Sequence, residues 1–347
     1  MKSKKTKYAP LFLVDYISAK YGKGVWEDLE KWHMNNGKAG YPVWESWCYA
    51  PSYAAVEVLS DAVVAGAVVR NKDEDDDREL LFKVISDAQI VAAVAPWRKD
   101  KQVYAIDPDL LKALMGQANE YTSIPSEVLL RLPHRSIYVD FGDHAVGCLE
   151  GMFIHLEHDI EEGWIELRLL LLIAGETICI PICIDDEDLC DDLNESMELA
   201  IEQSKELIEH NKAYGIDILQ EFRLAMPDYD ESTITNFVSG LLQVALYFCS
   251  ARQDIEENKT QQSVYRKSEA IKDKFSEIRR WDLGYNEGTQ IRRFRESQNE
   301  ECKNATTKPA QVRKGRWHHA WTGKGAEKRL RLAWLSPTML GWDKADE

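Results

Sequence analysis

The side chains best equipped for chemistry gather between Thr307 and Trp342, in the stretch TKPAQVRKGRWHHAWTGKGAEKRLRLAWLSPTMLGW. It holds four of the eleven tryptophans and two of the eight histidines, and its only acid is Glu327. Arg313, Lys314, Arg316, Lys324, Arg329 and Arg331 suit the neutralisation of phosphates, while Trp317, His318, His319 and Trp321 offer rings for base stacking. These ten residues form a candidate RNA- or ribosome-binding set. Gly323-Lys-Gly325 reads as the turn joining two strands, Gln311–Trp321 and Arg329–Leu335. Alternation along the first places Arg313, Gly315, Trp317 and His319 on one face, and Lys314, Arg316, His318 and Ala320 on the other. A second reading stands beside the first: tryptophans that anchor the hairpin to the body, with a solvated basic edge that discourages aggregation.

Catalysis is harder to build. A hydrolytic metal site would need His318, His319 and distant carboxylates or Cys302, but adjacent strand residues point apart. His155 and His158, three apart on a strand, fail for the same reason. His155 and Glu157 do share a face, which Glu166 and Arg168 of the next strand can join; a solvated polar sheet face is the expectation there. The acidic run Asp73–Asp77 lacks the glycine and closing Glu of a calcium loop and reads as a solvated loop. Cys179 and Cys183 share a strand face about 13 Å apart at ~3.3 Å per residue, too far for a disulfide or a shared metal. No phosphate-cradling loop, dinucleotide turn, HExxH or GxSxG elbow occurs. No catalytic residue, metal or cofactor is therefore assigned. Tyr41, Trp44, Trp47, Tyr49 and Tyr53 form an aromatic-rich loop that reads first as packed anchors and second as a pocket for a peptide.

The elements that must position these residues follow from pattern. A chain of 347 residues with 44% hydrophobic content has room for about two domains and a substantial core. Its formal charge is −16, yet Lys259–Trp334 carries 19 Lys and Arg against 9 Asp and Glu, which leaves −26 for the rest. A polyanion should therefore meet the C-terminal part. The seven cysteines contain no CxxC pair, as expected of reduced cytosolic thiols. The apolar run Leu11–Val14 is too short for a signal core, and Leu167–Ile184 is broken by Arg168 and Glu176, so a soluble protein with no membrane partner is expected. Residues 9–130 read as helices around Trp26, Leu29 and Trp32, then Ser52 onward, then Leu80, Val84, Ala88 and Val91. Val103–Ile106 reads as a short strand, and Asp107-Pro108 as a helix start.

After Pro133 the period changes. Ser136–Phe141, Cys148–His158, Trp164–Ile173 and Thr177–Ile184 alternate or run apolar, with short turns between them, which favours an antiparallel four-stranded meander. Residues 169–174, apolar on both faces, should form a strand covered twice. Asp192–Glu195 reads as a capping box for a helix to about Asn211, and a further helix follows Asp230; both should cover the sheet. Residues 252–308 are polar and read as a helical arm or connector.

Arg313-Lys-Gly-Arg-Trp-His-His-Ala-Trp-Thr-Gly-Lys-Gly325, followed by Arg331 and Trp334, resembles the C-terminus of a type V-A anti-CRISPR family, the second of that series, spread through phages, plasmids and other mobile elements. Leu132-Pro133 before Ile137–Asp140, Gly151-Met-Phe153, Leu246–Ser250 and Leu283-Gly284 before Arg292-Arg293 resemble it in the same order. The resemblance implies suppression of the type V-A effector nuclease at the level of its production: recognition of its nascent N-terminal peptide during translation, then loss of the message. The implied partners are that nascent peptide and the ribosome or RNA. Two positions depart from the family pattern. Arg316 stands where a histidine precedes the Trp, and Ala320 where an aromatic stands near the end of the motif. Arginine keeps positive charge but neither ligates metal nor acts as a base at neutral pH, which favours phosphate contact over chemistry.

The expectation is thus an α+β protein with an N-terminal helical region, a central antiparallel sheet covered by helices, and a basic C-terminal β-hairpin. The expected divisions are 1–131, 132–252, 253–306 and 307–347. Function is expected to be that of a cytoplasmic anti-CRISPR adaptor in a bacterial host. An RNA-cleaving enzyme of a mobile element, and a plasmid or phage interaction protein without anti-CRISPR activity, are the alternatives.

Overall fold

The computed structural model describes residues 9–67, 77–117, 124–142, 149–160, 163–173, 175–185, 193, 195–199, 202, 231–251, 253–258, 278–301, 311–313, 315–325, 328–335 and 338–340. Four helices open the chain: α1 (Ala9–Tyr21), α2 (Gly24–Asn35), α3 (Ser52–Val64) and α4 (Asp77–Asp100). Strand β1 (Gln102–Ile106) and helix α5 (Pro108–Met115) follow, then a short 3-10 turn (Ser126–Arg131). Asp107 caps α5 as its sequence suggests, its carboxylate accepting from the amides of Asp109 and Leu110. The meander β2 (Ser136–Asp140), β3 (Leu149–His158), β4 (Ile165–Ile173) and β5 (Glu176–Asp185) comes next. Then come α6 (Glu231–Cys249), β6 (Ile255–Glu257), β7 (Arg279–Leu283) and α7 (Tyr285–Glu301). Four short strands close the described chain: β8 (Gln311–Arg313), β9 (Arg316–Thr322), β10 (Arg329–Leu335) and β11 (Thr338–Leu340).

The fold is α+β, with a mostly antiparallel central sheet and a C-terminal hairpin. The meander pairs as its pattern predicts, β2 with β3, β3 with β4 and β4 with β5, all antiparallel. Two features differ from expectation. The sheet has seven strands in the order β5-β4-β3-β2-β1-β7-β6, and β1 runs parallel to both neighbours. Residues 255–257 and 279–283, expected in a polar helical arm, are instead strands of that sheet. The reason is non-local: Trp281 and Leu283 gain their apolar surroundings only by pairing with Tyr104 and Ile106 of β1. Most of the predicted 192–211 helix lies outside the described residues, although residues 195–199 are helical.

Alternation in the strands feeds two cores. Val103, Tyr138, Phe153, Leu170 and Leu172 point into one core with α1–α4. Tyr104, Ile137, Val139, Ile154, Leu169 and Leu171 point into the other, with α5, α6 and the hairpin. β4 is therefore apolar on both faces because both are covered. α4 is the one described helix long and apolar enough to cross a membrane by composition. Its Ala88, Val91, Ala93, Val94 and Trp97 are fully enclosed between α1, α3 and the sheet, the position of a core helix. Tyr16, Lys20 and Tyr21 of α1 converge on buried Asp87 of α4, tying the two helices by a charge-assisted cluster.

α7 approaches α5 closely through glycine. A Cβ on Gly288 would collide with the Asp107 carboxylate, and one on Gly284, at φ +73°, with Leu110. The same approach lets Arg292 reach Asp107 at 3.0 Å and Asp109 at 2.8 Å. Burial would raise the Asp109 carboxyl, but hydrogen bonds from Arg292 and Arg295 outweigh it and hold the group below its ordinary range.

Candidate functional site

The C-terminal hairpin is the antiparallel pair β9–β10, turned at Gly323 and Gly325, both with positive φ. β8 is not continuous with β9 as expected. It pairs with β11 instead, placing Arg313 opposite Thr338, while Lys314 lies outside the described residues. Register then sorts the rest. Trp317, His319 and Trp321 face the same way as Trp334, Leu332 and Leu330, and Arg316, His318 and Ala320 the same way as Leu335, Ala333 and Arg331.

The first face docks. Leu330, Leu332 and Trp334 are nearly inaccessible and belong to the core shared with α6. The Trp317 ring lies 5.3 Å from Trp334, and its indole N–H donates to the buried Gln243 of α6. Gln243 in turn donates to the Gln117 carbonyl at 3.0 Å, and the Gln117 amide donates to Gly315. The other edge of β10 is fixed as well. The Leu332 carbonyl accepts from Ala251 N–H at 2.7 Å, and the Leu330 carbonyl from Arg131 at 2.6 Å. Trp317 is thus an anchor of the hairpin, its ring committed to the body. His319 and Trp321, nearer the turn on the same face, remain exposed, Trp321 at 58%.

The second face is open. Arg316, His318, Arg329 and Arg331 are exposed on it, with Lys324 and Lys328 exposed around the turn. The candidate set therefore divides. Arg316, His318, Arg329 and Arg331 share the open face, Trp321 is exposed on the other face near the turn, Trp317 is partly buried against the body, and His318 and His319 face opposite ways.

The cluster His155, Glu157, Glu166 and Arg168 requires a correction. The four share a face, with His155 opposite Arg168 and Glu157 opposite Glu166, but that face is buried rather than solvated. α4 and the start of α3 cover it, which local periodicity in the strands does not reveal. Arg168 donates to Glu166 at 2.8 Å and to Gln89 of α4 at 2.6 Å, and stands 3.8 Å from Glu157. Glu157 accepts the Ser52 amide at 2.7 Å, fixing the start of α3 to the sheet. Burial pushes the Glu157 carboxyl up to about 7 despite Arg168, and pushes the His155 imidazole down to about 3, so His155 is neutral. Burial also lifts the Cys179 thiol to about 12, leaving it unreactive. The cluster is a structural joint between layers. Among the described residues no group of three or more His, Cys, Asp or Glu is arranged to hold a metal.

A curated Escherichia coli protein, Protein FinQ, is 23% identical over 262 residues, 70% of this chain and 73% of that protein. The crystal structure of AcrVA2 superposes with a TM-score of 0.55 at 17% identity, covering 95% of this chain and 96% of that one, a likeness of fold. The description of the AcrVA2-like proteins, the anti-CRISPR type V subtype A2 family, matches residues 104–341, from β1 through the hairpin. Spanning well over half of the chain, that match places this protein in the anti-CRISPR type V subtype A2 family.

Proposed function

We propose that this protein is an adaptor that recognises the nascent N-terminal peptide of a type V-A CRISPR effector in the bacterial cytoplasm and causes loss of its message. In this reading the acidic body takes the peptide, and the basic end of the hairpin engages RNA or the ribosome. The observation that supports it is the division of the hairpin. Its Trp317, Leu330, Leu332 and Trp334 dock on the body, while Arg316, His318, Arg329 and Arg331 are exposed on a chain of net charge −16. Such a charge contrast steers two different partners to two surfaces of one molecule. The part is that of a binder, not an enzyme.

Affinity capture with stalled ribosome–nascent chain complexes tests this. Complexes displaying the effector N-terminus should be enriched over those displaying an unrelated segment, and effector message should fall on co-expression. Equal recovery of both would sink the proposal. Incubation of the purified protein with RNA, with and without divalent metal, is the control against a nuclease. Cleavage abolished by His318→Ala would replace the adaptor reading.

A further inference from the structure

The aromatic-rich segment between α2 and α3 is only partly absorbed by the core. Trp44 and Tyr49 are buried, but Trp32 and Tyr41 are half-buried, Tyr53 is 39% exposed and Val43 is 73% exposed. Trp32 is the hub. Its ring lies 5.1 Å from Tyr41 at 85° and 6.1 Å from Tyr53 at 71°, with Trp44 behind it at 6.5 Å. These are edge-to-face contacts, so the three rings pack on one another while each stays partly accessible.

The segment is held firmly. The Asn36 side chain brackets Trp44, donating to its carbonyl at 2.8 Å and accepting from its amide at 3.0 Å. Gly37 N–H donates to the Pro42 carbonyl at 3.0 Å, closing the loop beneath Tyr41. Glu45 N–H donates to His158 at 3.1 Å and Ser52 N–H to Glu157 at 2.7 Å, so the middle of the segment and its junction with α3 are fixed to β3. Aromatic area that is exposed and fixed in place loses little entropy when a ligand settles on it.

Charge selects the ligand. Residues 24–61 carry six acids; Asp28 pairs with Lys31 and Glu30 with Lys99, which leaves Glu27, Glu45, Glu57 and Asp61 against Lys38 and Arg135, the latter donating to the Ser46 carbonyl. Glu57 lies one turn after Tyr53 on α3 and Glu45 follows Trp44; both are exposed. A cation over an aromatic face gains from the ring quadrupole, most strongly on tryptophan, and surrounding carboxylates raise its local concentration. The patch precedes residue 104, outside the matched family residues, so the family description assigns it nothing.

We propose that Trp32, Tyr41 and Tyr53, with the exposed carboxylates Glu45 and Glu57 on the same segment and helix, form a docking site for a lysine or arginine side chain of an extended peptide. For its biological ligand this rests on the adaptor reading above; for its chemistry it does not. The test uses the full chain with 15N-labelled indoles. The probe is an acetylated nonapeptide with lysine at alternate positions, and the control carries norleucine there. The Trp32 indole resonance should shift saturably with the lysine peptide and stay unmoved with the norleucine peptide. Trp32→Leu should weaken binding roughly three- to thirty-fold. Because Trp32 also contacts the loop, the exposed pair Glu45→Gln/Glu57→Gln serves as a second variant, which should weaken binding with the thermal midpoint unchanged. No Trp32 shift, equal binding of the norleucine peptide, or full affinity in both variants overturns the site. Titration with the effector's N-terminal peptide separates the two readings. Lysine-peptide binding without effector-peptide binding keeps this site and removes the adaptor ligand. Effector-peptide binding undiminished in either variant keeps the adaptor and overturns the site.

Discussion

Removing the charge of the hairpin's open face while leaving its docked face intact separates recognition from folding. In Arg316→Gln/Arg329→Gln/Arg331→Gln, three exposed guanidinium groups are lost and no buried contact is touched. Each phosphate contact on a single strand contributes about 0.7 to the slope of log affinity against log salt, so the triple variant should lose about 2 from that slope. If wild type and variant converge near 1 M salt, a slope difference of about 2 corresponds to roughly fifty-fold weaker binding at about 0.15 M. Stability should change by no more than about 0.5 kcal/mol per site, as for other exposed positions. The assay is fluorescence anisotropy of a labelled single-stranded RNA oligonucleotide at four or more salt concentrations, with chemical denaturation alongside. Trp317→Ala is the contrasting variant. It empties the contact with Trp334 and leaves Gln243 without its indole donor, so about 2–3 kcal/mol of stability should be lost at this partly buried position. An unchanged salt slope in the triple variant, with the fold intact, would refute the assignment of this face to RNA.

Two further outcomes follow from the packing. Glu157, raised to about 7, binds its proton more tightly folded than unfolded, so its contribution to stability is full below about pH 4.5 and is lost as pH rises through about 7. That amounts to about 3 kcal/mol across the window; Glu157→Gln should abolish this component in denaturation curves at pH 5 and pH 8, and parallel pH profiles for the two proteins would contradict it. Gly288→Ala should cost about 1–3 kcal/mol by pushing Asp107 from its cap and its Arg292 pair, read as a lower denaturation midpoint; an unshifted midpoint would mean that α7 does not depend on this approach.

Local pattern settled a good deal of this protein. The alternation of 136–184 gives the four-stranded meander, Asp107-Pro108 marks the start of α5, and Gly323–Gly325 marks the hairpin turn. Alternation also shows that His318 and His319 part, and that His155, Glu157, Glu166 and Arg168 share a face, because a strand's period of two belongs to its own backbone. Tertiary structure decided what those faces meet. The placement of α4 and the start of α3 turns the His155 face from wet to buried, and Gln243 of α6, seventy-four residues earlier, helps turn Trp317 from a stacking platform into an anchor. β7 was illegible for the same reason: Arg-Arg-Trp-Asp-Leu has no clear period, and its strand exists through its partners on either side. Side-chain direction is set within a few residues of chain, whereas the choice of what covers a face is set by contacts across the whole fold.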